Sequence, residues 1–309
     1  MKPKLVVIGS SNRDLVVKTE RIPAPGETVI GGAFVSAPGG KGGNQAVAAS
    51  RLGAEVWFVG CVGNDALGSV LAEEMAEAGI HVDFLHFDPD APTGVALIGV
   101  DARGQNAIIV APGANHRVSR ADVEAAREII VEAYAVIVQL EIPMEAVEAA
   151  IDAASAAGTK VVLNPAPMRG DRALPDSLLR KVDILTPNEH EAAQILGHHS
   201  PEGLHWEEVA EQIRAKGVDT VVITLGDAGC LLADSTGSRR LPSMPVTAID
   251  TTAAGDCFTG ALAVGLAEGK SLDAAAIFAT HAAGISVTRL GAQPSLPTRG
   301  ELDELLPPA

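Results

Sequence analysis

Aromatic side chains are scarce in this chain of 309 residues, at 3% of the total. A site that holds a nucleoside by stacking on its base therefore has little material to draw on. A basic excess is also missing: the formal net charge is −16, which argues against nucleic acid and anionic membranes as partners. Only three cysteines are present, Cys61, Cys230 and Cys257. They are far apart, odd in number and without metal-ligand spacing, which suits small buried apolar residues in a reducing cytoplasm. Long apolar runs are absent as well. The stretch from Met1 to Gly9 is too short for a signal peptide or a membrane span and reads as a buried strand. No G-x-G-x-x-G follows that strand, which continues Gly9-Ser10-Ser11-Asn12, so a dinucleotide oxidoreductase is disfavoured. His198-His199 beside Pro201 reads as a surface loop, and the tail containing Pro307-Pro308 is expected to fray.

What is present is a chain with 47% apolar residues, enough for one large core. Short apolar, β-branched runs recur at Leu5–Ile8, Val56–Val59, Val136–Leu140, Lys160–Leu163, Val182–Leu185 and Thr220–Leu225. Between them lie alanine-rich segments with helical spacing: Asn44–Leu52, Ala66–Ala78, Arg120–Ala133, Met144–Ala157 and Trp206–Lys216. Alternating signals of this kind predict a three-layer, doubly wound α/β domain around a mostly parallel sheet. The segments at about 14–38 and 93–112 break the rhythm with prolines, glycines and β-formers. They are expected to form a small accessory sheet that serves as a lid or exposes an edge to a partner subunit. The expected organisation is one domain over 1–309 carrying that β lid.

Several strings at the ends of these strands carry candidate chemistry. Asp250-Thr251-Thr252-Ala253-Ala254-Gly255-Asp256 runs small residues into an acid at a helix start. Free amides there can gather around an anion beside a carboxylate, an arrangement suited to phosphoryl transfer; simple packing of small residues is the plainer alternative. Gly39-Gly40-Lys41-Gly42-Gly43-Asn44-Gln45 lacks phosphate-loop spacing, but lets backbone approach a small ligand with Lys41 and Asn44 as directional polar groups. Asn12 and Asp14 follow the first strand and suit adjacent sugar hydroxyls, or a turn. Asn188 and Glu191 share a helix face after Thr186-Pro187. They suit a cap, or oxygen ligation of Mg²⁺ through water. Thr224-Leu225-Gly226-Asp227-Ala228-Gly229 ends a strand in a glycine turn, as a nucleotide pocket would.

In this order, the motifs resemble those of the ribokinase/PfkB family of carbohydrate kinases, over nearly the whole chain. Further matching runs are Ser11–Asp14, Thr93-Gly94-Val95-Ala96, Gln139-Leu140-Glu141, Asn164-Pro165-Ala166-Pro167 and Gly291-Ala292-Gln293-Pro294-Ser295. The resemblance implies a ribokinase-like fold and an ATP-dependent kinase that phosphorylates D-ribose at O5, giving ribose 5-phosphate and ADP. Asp256 would be the general base, with the amides of Ala253, Ala254, Gly255 and Asp256 as anion hole. Asn12, Asp14, Gly40, Lys41, Gly42, Asn44 and Glu141 would hold the sugar. Asn188, Thr224, Leu225, Gly226, Gly229 and Thr280 would line the nucleotide site, and Glu191 would orient Mg²⁺ through water. Asp250, Thr252, Ser286, Arg289, Gly291 and Ser295 would surround K⁺, several through carbonyl oxygens only. A homodimer through the lid sheet is also implied.

The chain departs from the family pattern at two places. Thr280 stands near the adenine where the family often has Asn or His, with His281 one residue later, which leaves the purine contact open. Arg13 is bulky between Asn12 and Asp14, and either points outward or touches the lid. A related kinase for deoxyribose, fructose or a keto-deoxy sugar acid is the nearer alternative; an acid substrate would use Arg13. A non-catalytic sugar-responsive regulator is the more distant one, disfavoured because base, glycine-rich cradle and Glu191 are all present.

Overall fold

The computed structural model describes residues 2–168 and 173–305; most of the tail expected to fray lies outside them. The first part of the chain comprises β1 (Lys4–Ile8), β2 (Asn12–Lys18), β3 (Phe34–Gly39), α1 (Lys41–Arg51), β4 (Glu55–Gly63), α2 (Ala66–Glu77), β5 (Ile80–Asp88), β6 (Gly94–Val100) and β7 (Asn106–Ala111). There follow α3 (Arg120–Ala125), α4 (Arg127–Glu132), β8 (Ala135–Val138), α5 (Met144–Ala157), β9 (Lys160–Leu163), α6 (Asp176–Leu179), β10 (Ile184–Leu185) and α7 (Glu189–Ile195). The last part contains α8 (Trp206–Ala215), β11 (Thr220–Thr224), β12 (Cys230–Asp234), β13 (Gly237–Leu241), α9 (Ala254–Ala267), α10 (Leu272–Ser286) and α11 (Arg299–Asp303).

Nine strands form the main sheet in the order β13-β12-β11-β10-β9-β8-β1-β4-β5. From β5 to β11 the pairings are parallel; β12 and β13 add an antiparallel edge. Continuous apolar runs become strands covered on both faces. On β1, Leu5 and Val7 face the helices α1, α2, α9 and α10, while Val6 and Ile8 face α3, α4, α5, α7 and α8. All four are fully buried, and burial of each such side chain contributes about 1.5–3 kcal/mol. The chain winds from β1 towards β5 and then returns to β8 on the other side of β1. This reversal places a crevice beyond the carboxyl ends of β1 and β8, where ligands of doubly wound sheets bind.

Three features differ from the sequence expectation. The main sheet includes β5, β12 and β13, which the apolar runs did not mark. The helix expected over Arg120–Ala133 divides at Ala126 into α3 and α4. The strand expected from Val182 contracts to Ile184–Leu185. The segments that break the strand–helix rhythm form a separate four-stranded sheet, β3-β2-β6-β7, in which β2 and β6 are parallel. One register of that sheet aligns Asn12 with both Gly39 and Gly94, so its root lies in the crevice. Phe34, Leu97 and Ile109 remain exposed on it.

Candidate active site

Close packing of α1 on α9 assembles the centre of the site. Gly260 makes this approach possible: a Cβ there would lie 2.8 Å from the Gln45 carbonyl and 3.0 Å from the Ala48 Cβ. Small residues on both helices thus bring Asn44 and Gln45 onto Asp256, at 2.8 Å from Asn44 Nδ2 to Oδ2 and 3.0 Å from Gln45 Nε2 to Oδ1. The glycine run ahead of Asn44 is not a loose loop. Helix α1 already starts at Lys41, Gly40 takes a left-handed φ of 83°, and a Cβ on Gly42 would come within 2.7 Å of the Ser10 backbone. These glycines fit the helix start against the end of β1.

Asp256 lies in the first turn of α9 and is 5% exposed. Burial raises its pKa, opposed by the Lys41 charge and the Asn44 and Gln45 donors, while Glu141 adds to the rise. The residue before α9, Ala253, has φ 62°, the one positive φ on a non-glycine among the described residues. A left-handed alanine costs about 1–2 kcal/mol, spent on the turn that starts α9. Ala254 N–H donates to the Thr251 carbonyl at 3.2 Å, and the Cys257 amide reaches Ala253 at 2.8 Å. The amides of Ala253, Gly255 and Asp256 have no protein partner among the described residues, as an anion cradle requires.

On one side of Asp256 lie the residues expected to hold a sugar. Glu141 Oε2 accepts from the Lys41 amide at 3.0 Å and from Ser10 Oγ at 2.5 Å. Asn12 Oδ1 accepts from Asn115 Nδ2 at 2.7 Å. Asn115 carries no signal in the sequence, yet it is buried and also takes the Ser11 amide at 2.8 Å. A pocket of about 110 Å³ opens between Ser10, Asn12, Asn115 and Glu141. Burial pushes Asp14 up to about 7, helped by Glu141 and Asp256 and opposed by Arg13. The Lys41 ammonium is raised although burial works against its charge, because Asp256, Glu141 and Glu191 surround it. Asn44 Oδ1 is buried without a protein partner, which costs about 1–3 kcal/mol unless a ligand or water donates to it. Arg13 is committed elsewhere: it donates to Ser36 Oγ at 2.7 Å and pairs with Glu74 at 2.6 Å, tying the small sheet to α2.

On the other side a cleft of about 550 Å³ runs along Thr224, Gly226, Gly229 and Thr280 to Ala254 and Gly255. Its far wall is apolar, with Met244, Val246 and Val287. The Thr280 hydroxyl donates back to the Ala276 carbonyl at 2.8 Å. Two expected nucleotide residues stand apart. The Leu225 side chain is buried in the hydrophobic core, because the strand alternation turns it away from the cleft, so only its backbone serves the turn. Asn188 caps α7 in a reciprocal pair with Glu191, at 2.8 and 2.9 Å, and bridges to Thr224 through its backbone. Burial raises the Glu191 pKa, against the Asn188 amide and Lys41 and with Asp256 adding to it.

Behind the cradle, Asp250 Oδ1 accepts from the Thr252 amide and hydroxyl at 3.0 and 2.6 Å, and Oδ2 from the Gly291 amide at 2.8 Å. Burial works against its charge, but these donors prevail and lower its pKa. The Ser286 and Ser295 hydroxyls turn onto the Ala283 and Ala292 carbonyls, and the Arg289 guanidinium pairs with Glu301. The Ser286 carbonyl accepts from the Arg289 amide at 3.1 Å.

Comparison with known proteins gives one consistent answer. The model of the pfkB family carbohydrate kinases matches residues 2–299. A ribokinase from Haemophilus influenzae is 42% identical over 306 residues, covering 99% of each chain. A ribokinase from Bacillus subtilis is 41% identical over 302 residues, covering 98% of this chain and 99% of its own. The structure of Arabidopsis thaliana ribokinase complexed with ribose and ATP superposes with a TM-score of 0.89 at 35% identity, covering 99% of both chains. Matched in sequence and fold over essentially its whole length, the chain belongs to the pfkB family of carbohydrate kinases.

Proposed function

We propose that this protein transfers the γ-phosphoryl group of ATP to O5 of D-ribose, giving ribose 5-phosphate and ADP. The observation that carries this reading is the position of Asp256. Its buried carboxylate is hydrogen-bonded to Asn44 and feels the charges of Lys41 and Glu141 on the sugar side, while the preceding Gly255, with a free amide, lines the end of the cleft. Ribose enters with hydroxyls on Asn12, Asp14, Lys41 and Asn44, whose unpartnered Oδ1 gains a donor. Asp256 removes the O5 proton as O5 attacks the γ-phosphorus. The new O–P bond forms as the bond to the bridging β–γ oxygen breaks, and the amides of Ala253, Gly255 and Asp256 hold the charge spread over the transferred group.

Mg²⁺ would supply charge neutralisation on the ATP phosphates, and Glu191, whose Oε1 faces no protein partner among the described residues, would orient it through water. K⁺ would bind beside Asp250, whose carboxylate already ties Thr252 to Gly291, with Ser286, Arg289 and Ser295 supplying further oxygens, and would hold the loop under the cradle. The four-stranded sheet covers the sugar side as a lid, excluding water that would otherwise accept the phosphoryl group. Its exposed Phe34, Leu97 and Ile109 suit a homodimer through this sheet. Three unpaired buried cysteines suit the cytoplasm, and no helix among the described residues is long and apolar enough to cross a membrane. Arg13, engaged with Glu74 and Ser36, is not placed to receive a sugar acid, which favours ribose over the keto-deoxy acids.

A coupled ADP-release assay across pentoses, hexoses and nucleosides, run with K⁺ and with Na⁺, tests this reading. Ribose-selective turnover is expected. Turnover favouring another sugar would reassign the substrate, and none on any sugar would leave a regulator.

A further inference from the structure

Behind the reacting face of Asp256 lies a buried amide relay that the sugar and nucleotide sites do not use. Gln45, one residue past Asn44 on α1, is fully buried and so cannot touch either substrate. Its Nε2 donates to Asp256 Oδ1 at 3.0 Å and to Asn164 Oδ1 at 3.2 Å. Its Oε1 accepts from Gln139 Nε2 at 2.6 Å. The orientation of this carboxamide is forced, since only its NH₂ end can face a carboxylate. Asn164 in turn donates to the Thr186 carbonyl at 2.8 Å, and the Thr186 hydroxyl meets Thr259 at 3.1 Å, one turn beyond Asp256 on α9. The relay crosses the ends of β8, β9 and β10 and returns to the helix that carries the acid. Gln45 is thereby clamped from two sides while it holds one oxygen of that acid.

We propose that Gln45 is a positioning residue for phosphoryl transfer: it anchors Asp256 Oδ1, so that Oδ2, on the side of Asn44, is the oxygen that receives the sugar proton. This rests on the reading of Asp256 as the general base. An anchored carboxylate keeps one lone pair aimed at the sugar hydroxyl; a freely rotating one spends most of its time misaligned. The Gln45 N–H also favours the ionised form, which burial opposes. The charged groups that face Asp256 from other elements are Lys41 on α1, Asp14 on β2, Glu141 after β8 and Glu191 on α7. None of them is altered by changing Gln45.

Gln45→Met keeps length and volume but removes the donor. It is expected to lower kcat with ribose by on the order of 10–10²-fold, the scale of a misplaced catalytic group, with little change in ribose KM. The acid limb of the kcat–pH profile should move to higher pH as the carboxylate loses a donor. Gln139→Met withdraws the support behind Gln45 but leaves its donor, so a smaller effect in the same direction is expected; it carries the test if Gln45→Met does not fold. Unchanged kcat in Gln45→Met, or a lower kcat with an unmoved acid limb, would overturn the proposal by leaving Gln45 a packing role only. Asp256→Asn measured in parallel separates the two ideas. If it keeps turnover, the base reading itself fails; if it loses turnover while Gln45→Met does not, only the anchoring role fails.

Discussion

Asn44 Nδ2 lies 2.8 Å from Asp256 Oδ2, although 212 positions separate the two residues. This contact joins the start of α1 to the start of α9, and with them the proposed sugar pocket to the anion cradle. Each neighbouring group can be perturbed separately.

Asp14 titrates near neutrality. Burial, Glu141 and Asp256 push it up to about 7, so in the free protein it is protonated below that pH and ionised above it. The ionised form accepts hydroxyl hydrogen bonds more strongly. Ribose binding without nucleotide should therefore tighten as pH rises through about 7. Calorimetric titration at several pH values checks this, and Asp14→Asn should bind more weakly with that rise abolished. A pH-independent affinity would place the sugar away from Asp14.

Asn115 holds Asn12 Oδ1 and the Ser11 amide. Asn115→Ala removes both supports, and each lost bond of this kind contributes about 1 kcal/mol. Ribose KM should rise roughly 5- to 30-fold, corresponding to about 1–2 kcal/mol, with the KM for ATP little changed. Steady-state kinetics varying each substrate separates the two.

Gly255 tests the cradle. A Cβ there meets nothing within 4 Å, so packing does not require glycine, and alanine is the better helix former by up to about 1 kcal/mol. Gly255→Ala should keep or raise the thermal midpoint. Because Gly255 lines the end of the nucleotide cleft, its kcat/KM for ATP should fall by on the order of tenfold. Loss of stability with kinetics intact would contradict the cradle.

Asp250 tests the proposed cation site. Its three accepted hydrogen bonds join Thr252 to Gly291. Asp250→Asn should reduce turnover in K⁺ to the level seen in Na⁺ and leave the rate in Na⁺ nearly unchanged. Stimulation by K⁺ that survives in the variant would move the cation elsewhere.

Much of this architecture is legible in the sequence because apolar runs and helical spacing reflect burial on two faces of one sheet. Strand β5 is not among those continuous runs, since at the sheet edge it alternates Ile80, Val82 and Phe84 with exposed His81 and Asp83. The break at Ala126 has no proline or glycine to announce it. The small-residue string of Asp250–Asp256 is visible in the chain, but the left-handed turn at Ala253 that starts α9 is not, because nothing in an alanine marks a positive φ. Asn115, and the role of Gln45 at the end of the glycine run, are not legible for another reason. Their partners lie on distant segments, Gln45 with Asp256 and Asn115 with Asn12, and only the folded chain reveals a buried carboxamide at work. The sequence leaves Arg13 open between two orientations, and its bonds to Ser36 and Glu74 decide it.

If Asp256 takes the proton of the sugar hydroxyl, its loss must act on turnover far more than on binding. The most direct test is Asp256→Asn, with kcat for ribose phosphorylation and ribose affinity measured on the same preparation. A fall in kcat of about 10²–10⁴-fold is expected, the span of a lost general base, with ribose affinity changed far less. Near-normal turnover in that variant would contradict this role for Asp256.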